Sequence, residues 1–499
     1  MADYDAIVIG AGGGGITAGA VLAKQGRKVL LLEQSGRLGG CCSTFEKEGY
    51  SFDVGASIIE VIDSIEEAFR LLGTTLGDEV DLIPCDPVYS CIFRDGSRMS
   101  VPLSIEGTRE AMAPISKEDA DNLPRFAQHI SRLLNESLQG FFTSPANGFG
   151  DMQKILRANP SLLNYGKLFV STYQGVLRKW FKNDKIQQSM GFQSFYVGLP
   201  PELAPGIFAL LAYSEHEGVW YSGGGMIAIP RALAACGEKE GMEIRLDTRV
   251  EKVMVRNGRV EGVTLGGGRE VTAPVVISNI NAKTLYLDLI GEEHLPWLAR
   301  YGIKSYKPSI SAVMLCLGID YEPPLDAHHT IITAPFEEMD DYWWNRYLKG
   351  LPPEKQFGLI CWATKSDPEL APKGCHVLNV ILMGPAHLAG TDWDREKEAF
   401  LAGAIDFLEA TALPGLSDHV KVAELITPLD YGRRLLHPDG AIYGLQEDLL
   451  NQTVFRPSSK SRSVKGLYLA GASTHPGGGV PAVIGSGIIA ARLVDQYEK

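Results

Sequence analysis

Residues 5–34 read DAIVIGAGGGGITAGAVLAKQGRKVLLLEQ, and this stretch decides the fold. DAIVI (5–9) is a short, apolar, β-branched run of the kind that a buried parallel strand shows. It runs straight into GAGGGG, which sets Gly10, Gly12 and Gly15 in G-x-G-x-x-G spacing. ITAGAVLAKQ (16–25) has helical character, and Gly26 ends it as a residue just past a helix terminus would. KVLLLE (28–33) is a second strand that finishes on an acid. The physical logic of strand, glycine turn, helix and strand is specific. Gly10 permits the turn, Gly12 lets a diphosphate approach the backbone, and Gly15 lets the helix pack on the sheet. The helix start offers unpaired N–H groups and partial positive charge. Glu33, 18 residues after Gly15, can accept from both ribose hydroxyls. The unit predicts dinucleotide binding in an α/β fold.

Working outward, EQSGRLGGCCSTF (33–45) brings a second glycine pair, Gly39-Gly40, soon after Glu33 and Gln34. That pair lets a loop fold back over the cofactor, which an extended flavin nucleotide needs more than NAD does. Glycine is the outlier of the whole composition, 55 of 499 residues against roughly 7% on average, and it is clustered rather than spread. The net charge of −13 excludes a phosphate-gripping nucleic-acid surface. Eight cysteines show no C-x-x-C pair, and no basic, apolar leader precedes the first strand, so reduced thiols and a cytoplasmic protein are expected. Cys41 and Cys42 are expected as small side chains near the phosphates, because a vicinal pair makes a strained disulfide. No apolar run approaches the about 20 residues of a membrane span.

Hairpins are predicted about Asp95-Gly96 and Asn257-Gly258, and strands over 310–319, 356–364 and 375–383. Residues 394–412 read as an amphipathic helix. The stretch 155–182 mixes Leu, Phe, Tyr and Trp180 with Lys167, Arg178, Lys179 and Lys182 and has no acid. Two readings stand for it: a peripheral contact with an anionic membrane surface, or amphipathic helices with a solvated basic edge. Near the end, LYLA (467–470) reads as a buried strand and Gly471 as a turn against the cofactor. GGGVP then leads into a helix starting near Val480 or Pro481, followed by Ala482 and Val483. Aimed at a flavin pyrimidine, that helix start would stabilise charge on the reduced ring.

GLYLAGASTHPGGGVP (466–481) is similar to the C-terminal signature of bacterial phytoene desaturases. GGCCSTFEKEGYSFDVGAS (39–57) resembles their N-terminal loop, and 178–233 their central block. DGAIYGLQEDLLNQ (439–452) resembles carotenoid isomerases and retinol saturases instead. Two departures are Gly478, where desaturases carry a small side chain, and the Cys41-Cys42 pair. The resemblance implies FAD as cofactor, with Gly55 and Ala56 in the cofactor site and Val250 near the adenine. It implies a discontinuous Rossmann-like FAD-binding domain over 1–83, 216–289 and 451–499, with an inserted α+β substrate domain over 84–215 and 290–450. The expected activity is FAD-dependent dehydrogenation of an apolar isoprenoid or polyene. Alternatives are cis–trans isomerisation or saturation by reduced FAD, an amine oxidase, and, from another class, a non-enzymatic prenyl-lipid carrier. Glu215, with His216 beside it, and His475 are the candidate catalytic residues. His328-His329 is not expected to bind metal, since neighbours on a strand point to opposite faces.

Overall fold

Four consecutive buried residues, Ala6–Ile9, form the central strand of a five-stranded sheet in a computed structural model that describes residues 2–137, 140–146, 148–448 and 455–498. The order is Leu467–Leu469, Val275–Ser278, Ala6–Ile9, Val29–Leu32 and Glu243–Arg245, and every neighbouring pair is parallel. A parallel sheet must be covered on both faces, so its strands are apolar throughout. Val8, Leu31 and Ile277 face a helical layer that includes Gly13–Lys24 and Val480–Tyr497. Ile7, Leu30 and Val276 alternate to the other face and pack against the antiparallel strands Val250–Arg256 and Arg259–Leu265. Those two strands are the hairpin expected about Asn257-Gly258, with Arg256 opposite Arg259.

A seven-stranded sheet forms the second layer system. Its order is Val420–Ile426, Ala312–Ile319, His376–Met383, Gly358–Trp362, His329–Ile332, Tyr89–Ile92 and Arg98–Val101. Only the pair His329–Ile332 and Tyr89–Ile92 is parallel. One face buries Leu315, Leu317, Val380 and Leu382 with Leu408 of the helix Trp393–Thr411. Asp392 caps that helix by accepting the Arg395 N–H. The opposite face carries Met314 and Ile381 to the cleft described below. The strands of the first sheet lie within 1–83, 216–289 and 455–498, and those of the second within 84–215 and 290–448. Leu82–Pro84 pairs with Trp220–Ser222 at the boundary where the chain passes from the first set of segments to the second.

Residues 155–182 fold as short turns of helix, among them Gly166–Phe169 and Tyr173–Trp180. Leu163, Phe169 and Val170 stand exposed, as do Lys167, Arg178, Lys179 and Lys182. Among the described residues no helix is long and apolar enough to cross a membrane.

Candidate functional site

The first strand ends at Gly10, whose φ of +93° turns the chain into the helix Gly13–Lys24. No side chain caps that helix at Gly12, and Gly12 and Gly13 line a cleft of about 1530 Å³. A Cβ on Gly12 would lie 2.4 Å from the Asn279 amide nitrogen, and one on Gly15 would lie 2.2 Å from the Gly10 carbonyl oxygen. Gly15 is thus a packing position beneath the cleft, while Gly12 is a lining one. Asn279 follows the strand Val275–Ser278, and its Oδ1 accepts the Gly15 N–H at 3.0 Å. Glu33 accepts the Ala11 N–H at 2.8 Å with one oxygen, and the Ser35 N–H and hydroxyl at 2.8 and 2.9 Å with the other. Gly39 lies back along the glycine turn, donating to the Ala11 carbonyl at 2.8 Å. Gly10, Glu33, Gln34, Gly39, Gly40, Gly55, Ala56, Val250, Gly471, Val480 and Val483, all expected to bind the cofactor, also line this cleft. Pro481 and Ala482 face a second cavity instead.

Two cations of the cleft wall lay outside the sequence expectations. Arg37 sits in the loop between Glu33 and Gly39 and was legible as a basic residue there. Arg434 comes from a helix, Pro428–Leu435, about which the sequence of the glycine loop says nothing. It donates to the Gly40 carbonyl at 2.9 Å and to the Ser43 hydroxyl, while the Gln34 amide donates to the Arg434 carbonyl at 2.7 Å. Burial lowers the Arg434 pKa from its usual value, yet a guanidinium stays charged in a protein. Cys41 and Cys42 are free thiols whose pKa values burial raises, so they are neutral and poor nucleophiles.

The donor set fits a long, dianionic flavin nucleotide. One open helix start and two arginines offer positive potential to a diphosphate, and Glu33 stands ready for a ribose. In the same cleft, the helix Val480–Tyr497 begins at Gly479, again with no side-chain cap. The Ser64 hydroxyl fixes that start by donating to the Pro481 carbonyl at 2.6 Å. Glu447 fixes the turn before it, accepting the Gly478 N–H at 2.6 Å. Arg456 lies 3.6 Å from Glu447, and the two side chains are 0% and 3% exposed. Tyr443 packs on Gly478, where a Cβ would lie 3.1 Å from the tyrosine Cβ. The stretch 439–448 therefore covers the flavin turn; its end, 449–452, lies outside the described residues.

A second cavity, of about 2290 Å³, has walls such as Leu156, Leu162, Phe169, Ile207, Phe208 and Leu211. It shares Gly55, Ala56, Ile381, Tyr443, Gly479 and Val480 with the cleft. Exposed Leu163, Phe169 and Phe455 also belong to its lining, so its mouth is apolar on the outside too.

The two expected catalytic side chains lie behind this wall. Glu215, 1% exposed, is reached by the Gln193 amide at 3.2 Å. His475 packs edge-on against Phe141 at 4.8 Å, with its Nε2 3.2 Å from the Phe141 carbonyl oxygen. Burial pushes the His475 pKa down to about 4, so the ring is neutral. Its neighbour Pro476 lines the cavity. His216 turns away, with Nδ1 2.9 Å from the Leu103 carbonyl oxygen. Glu60, a residue that the sequence reading passed over, does line the cavity.

The expectation that His328 and His329 point apart is corrected. The strand begins only at His329, so strict alternation does not bind its predecessor, and the two rings lie 4.6 Å apart. Ligand atoms of His328, His329 and Cys361 fall within 4.8 Å of one another. His328 bridges Ser366 at 2.7 Å and Cys361 at 3.2 Å, and His329 reaches Ser57 at 3.2 Å. These are the contacts of hydrogen-bonded core histidines.

The model of the family described as flavin containing amine oxidoreductase matches residues 14–495. A 4,4'-diapolycopene oxygenase of Methylomonas sp is 30% identical over 96% of this chain and 96% of its own length. A neurosporene-forming phytoene desaturase of Rhodobacter capsulatus is 29% identical over 99% of this chain and 94% of its own. In fold the chain is similar to an oxidoreductase from Methanosarcina mazei, with a TM-score of 0.65, 16% identity and coverage of 98% and 99% of the two chains.

Proposed function

The chain belongs to the flavin-containing amine oxidoreductase family and is an FAD-dependent oxidoreductase, and from that premise we propose that it dehydrogenates an apolar polyene isoprenoid in the manner of a phytoene desaturase. The observation that carries this reading is the junction of the two cavities through six shared wall residues. The cleft residues would hold the nucleotide, and the apolar cavity opens from six of the same wall residues. When bound, the flavin supplies a two-electron acceptor at that junction.

The chain's own residues do the rest. Leu156, Leu162, Ile207, Phe208 and Leu211 bury an uncharged chain, and each 100 Å² taken from water contributes about 2.5 kcal/mol. The same walls exclude water from the reacting carbons. Among the described residues, the cavity lining includes no Lys, Arg or His that would grip an anionic substrate. Residues 1–83, 216–289 and 451–499 form the FAD-binding unit in this reading, although 451–454 lie outside the described residues, and 84–215 with 290–450 form the substrate unit. Exposed Leu163, Phe169 and Val170, with Lys167 and Lys179 nearby in sequence, rest on an anionic bilayer and take the substrate directly from it.

Anaerobic mixing of the FAD-loaded protein with phytoene in vesicles tests the reading. Bleaching of the flavin band, with a longer chromophore appearing in the polyene, is the expected result. Turnover only after prior reduction and with substrate mass unchanged would make it an isomerase; no reaction with any polyene overturns the proposal.

A further inference from the structure

A polyene has no use for a buried charge, yet the wall of the apolar cavity carries two carboxyls: Glu447, which sits 3.6 Å from Arg456, and Glu60. Glu60, 8% exposed, lies between the shared residues Gly55-Ala56 and the helix Asp63–Leu72. The Ser214 hydroxyl donates to it at 2.8 Å. Directly behind comes Glu215, which has one oxygen on Gln193 and one with no hydrogen-bond partner. The Gln193 carbonyl oxygen and the Tyr196 hydroxyl, the latter on a cavity-lining residue, are likewise buried without a partner.

Placing Glu60 and Glu215 in one apolar wall costs several kcal/mol unless at least one stays protonated. Burial, and then the like charge of Glu60, push the Glu215 pKa well up. The titratable groups that face the pair are Tyr89, Tyr173, Tyr196 and Cys91, all held neutral by burial. Among the described residues no cation acts on either carboxyl. One negative charge is therefore the most that the site holds, and Glu60 is the member on the cavity.

We propose that Glu60 is a catalytic residue, the base that takes a proton from a substrate carbon in the apolar cavity. This rests on the polyene reading above. A C–H bond breaks, its proton goes to a Glu60 oxygen, and its electron pair becomes the second bond of the new alkene. The adjacent carbon would give up its hydrogen with two electrons to the bound flavin, which supplies the two-electron acceptor. Burial raises the Glu60 pKa to about 7, a value suited to a base at neutral pH.

Glu60→Gln in the FAD-loaded protein tests this. With phytoene, the anaerobic single-turnover rate should fall by about 10²–10⁴-fold while polyene affinity and FAD content hold. Infrared titration of the substrate-free protein should show a protonated carboxyl ionising near neutral pH in the wild type and missing from the variant. If the wild type reacts and Glu60→Gln reacts equally fast, with the same pH profile, the base is elsewhere and the polyene reading survives. If the wild type reacts with no polyene, that reading falls, and the infrared titration still judges Glu60. A Glu60 carboxyl ionised at all pH values overturns the proposal and marks the partner of a cationic substrate. Should Glu60→Gln lose FAD, Glu60→Asp, which retracts the carboxyl, should keep FAD and a neutral ionisation but lose rate; full rate would refute the assignment.

Discussion

Replacing Arg456 by Met should unsettle the flavin turn from below, and the size of the effect follows from the pair's geometry. Arg456 and Glu447 lie 3.6 Å apart at 0% and 3% exposure. At an effective dielectric of about 20 their attraction is worth about 4–5 kcal/mol, set against the cost of desolvating both. Removing the guanidinium takes that attraction from a buried carboxylate, and breaking a buried pair in this way typically costs about 3–5 kcal/mol. The Ala472 carbonyl also loses its guanidinium donor. Arg456→Met should therefore lower the thermal midpoint sharply and weaken FAD retention, because Glu447 anchors Gly478 just ahead of the helix Val480–Tyr497. Adding Glu447→Gln removes the buried charge and keeps an acceptor for the Gly478 N–H. The double variant should recover most of the lost midpoint. Thermal unfolding of all four proteins, followed by flavin fluorescence, gives the coupling. Additive effects, with the double variant no better than Arg456→Met, would refute the claim that the pair acts as a unit.

Glu33→Ala should cost FAD affinity by about 3–6 kcal/mol, the worth of two hydrogen bonds to a carboxylate, read as free FAD after gel filtration; unchanged occupancy speaks against a ribose role. His475 is buried neutral with its pKa near 4, below the 6.5 of an unfolded histidine. The unfolded chain thus binds a proton that the native one refuses between those values. His475 should contribute about 3 kcal/mol of stability that is full above about pH 6.5 and lost on the way to pH 4, beside the shares of His328 and His329, which burial also holds down; His475→Gln should lower the slope by that share, and an unchanged slope rules His475 out as a source. Phe169→Glu with Val170→Glu should reduce co-sedimentation with anionic vesicles while leaving FAD content alone, and equal sedimentation would remove 155–182 from any membrane contact.

What was legible in the sequence is what is written locally. Ile9, Gly10 and Gly12 to Gly15 dictate turn, helix start and close packing within a few residues, and Glu33 completes the unit one strand later. The helix start at Val480 was equally plain, because Gly479 and Pro481 bracket it. Arg434 was not legible: it meets Gly40 across almost the whole chain, through a helix whose own pattern shows only a solvated basic end. Glu60 escaped for a different reason. It sits in a turn without periodicity, so nothing local tells which wall it joins. Glu215 lies in a three-residue turn of helix, Glu215–Glu217, too short for its spacing to define a face. The histidine pair went astray by a single residue of strand boundary.

Leu467–Leu469 is an edge strand of the parallel sheet, and Gly471, Gly479 and Val480 right after it close the cleft. A nascent chain still attached to the ribosome short of this point has the glycine turn of its first fifteen residues waiting without a lid. Loading with the yellow prosthetic group is consequently a late event in biosynthesis. A product of premature termination, however well its earlier strands pair, should leave the cell's translation machinery colourless.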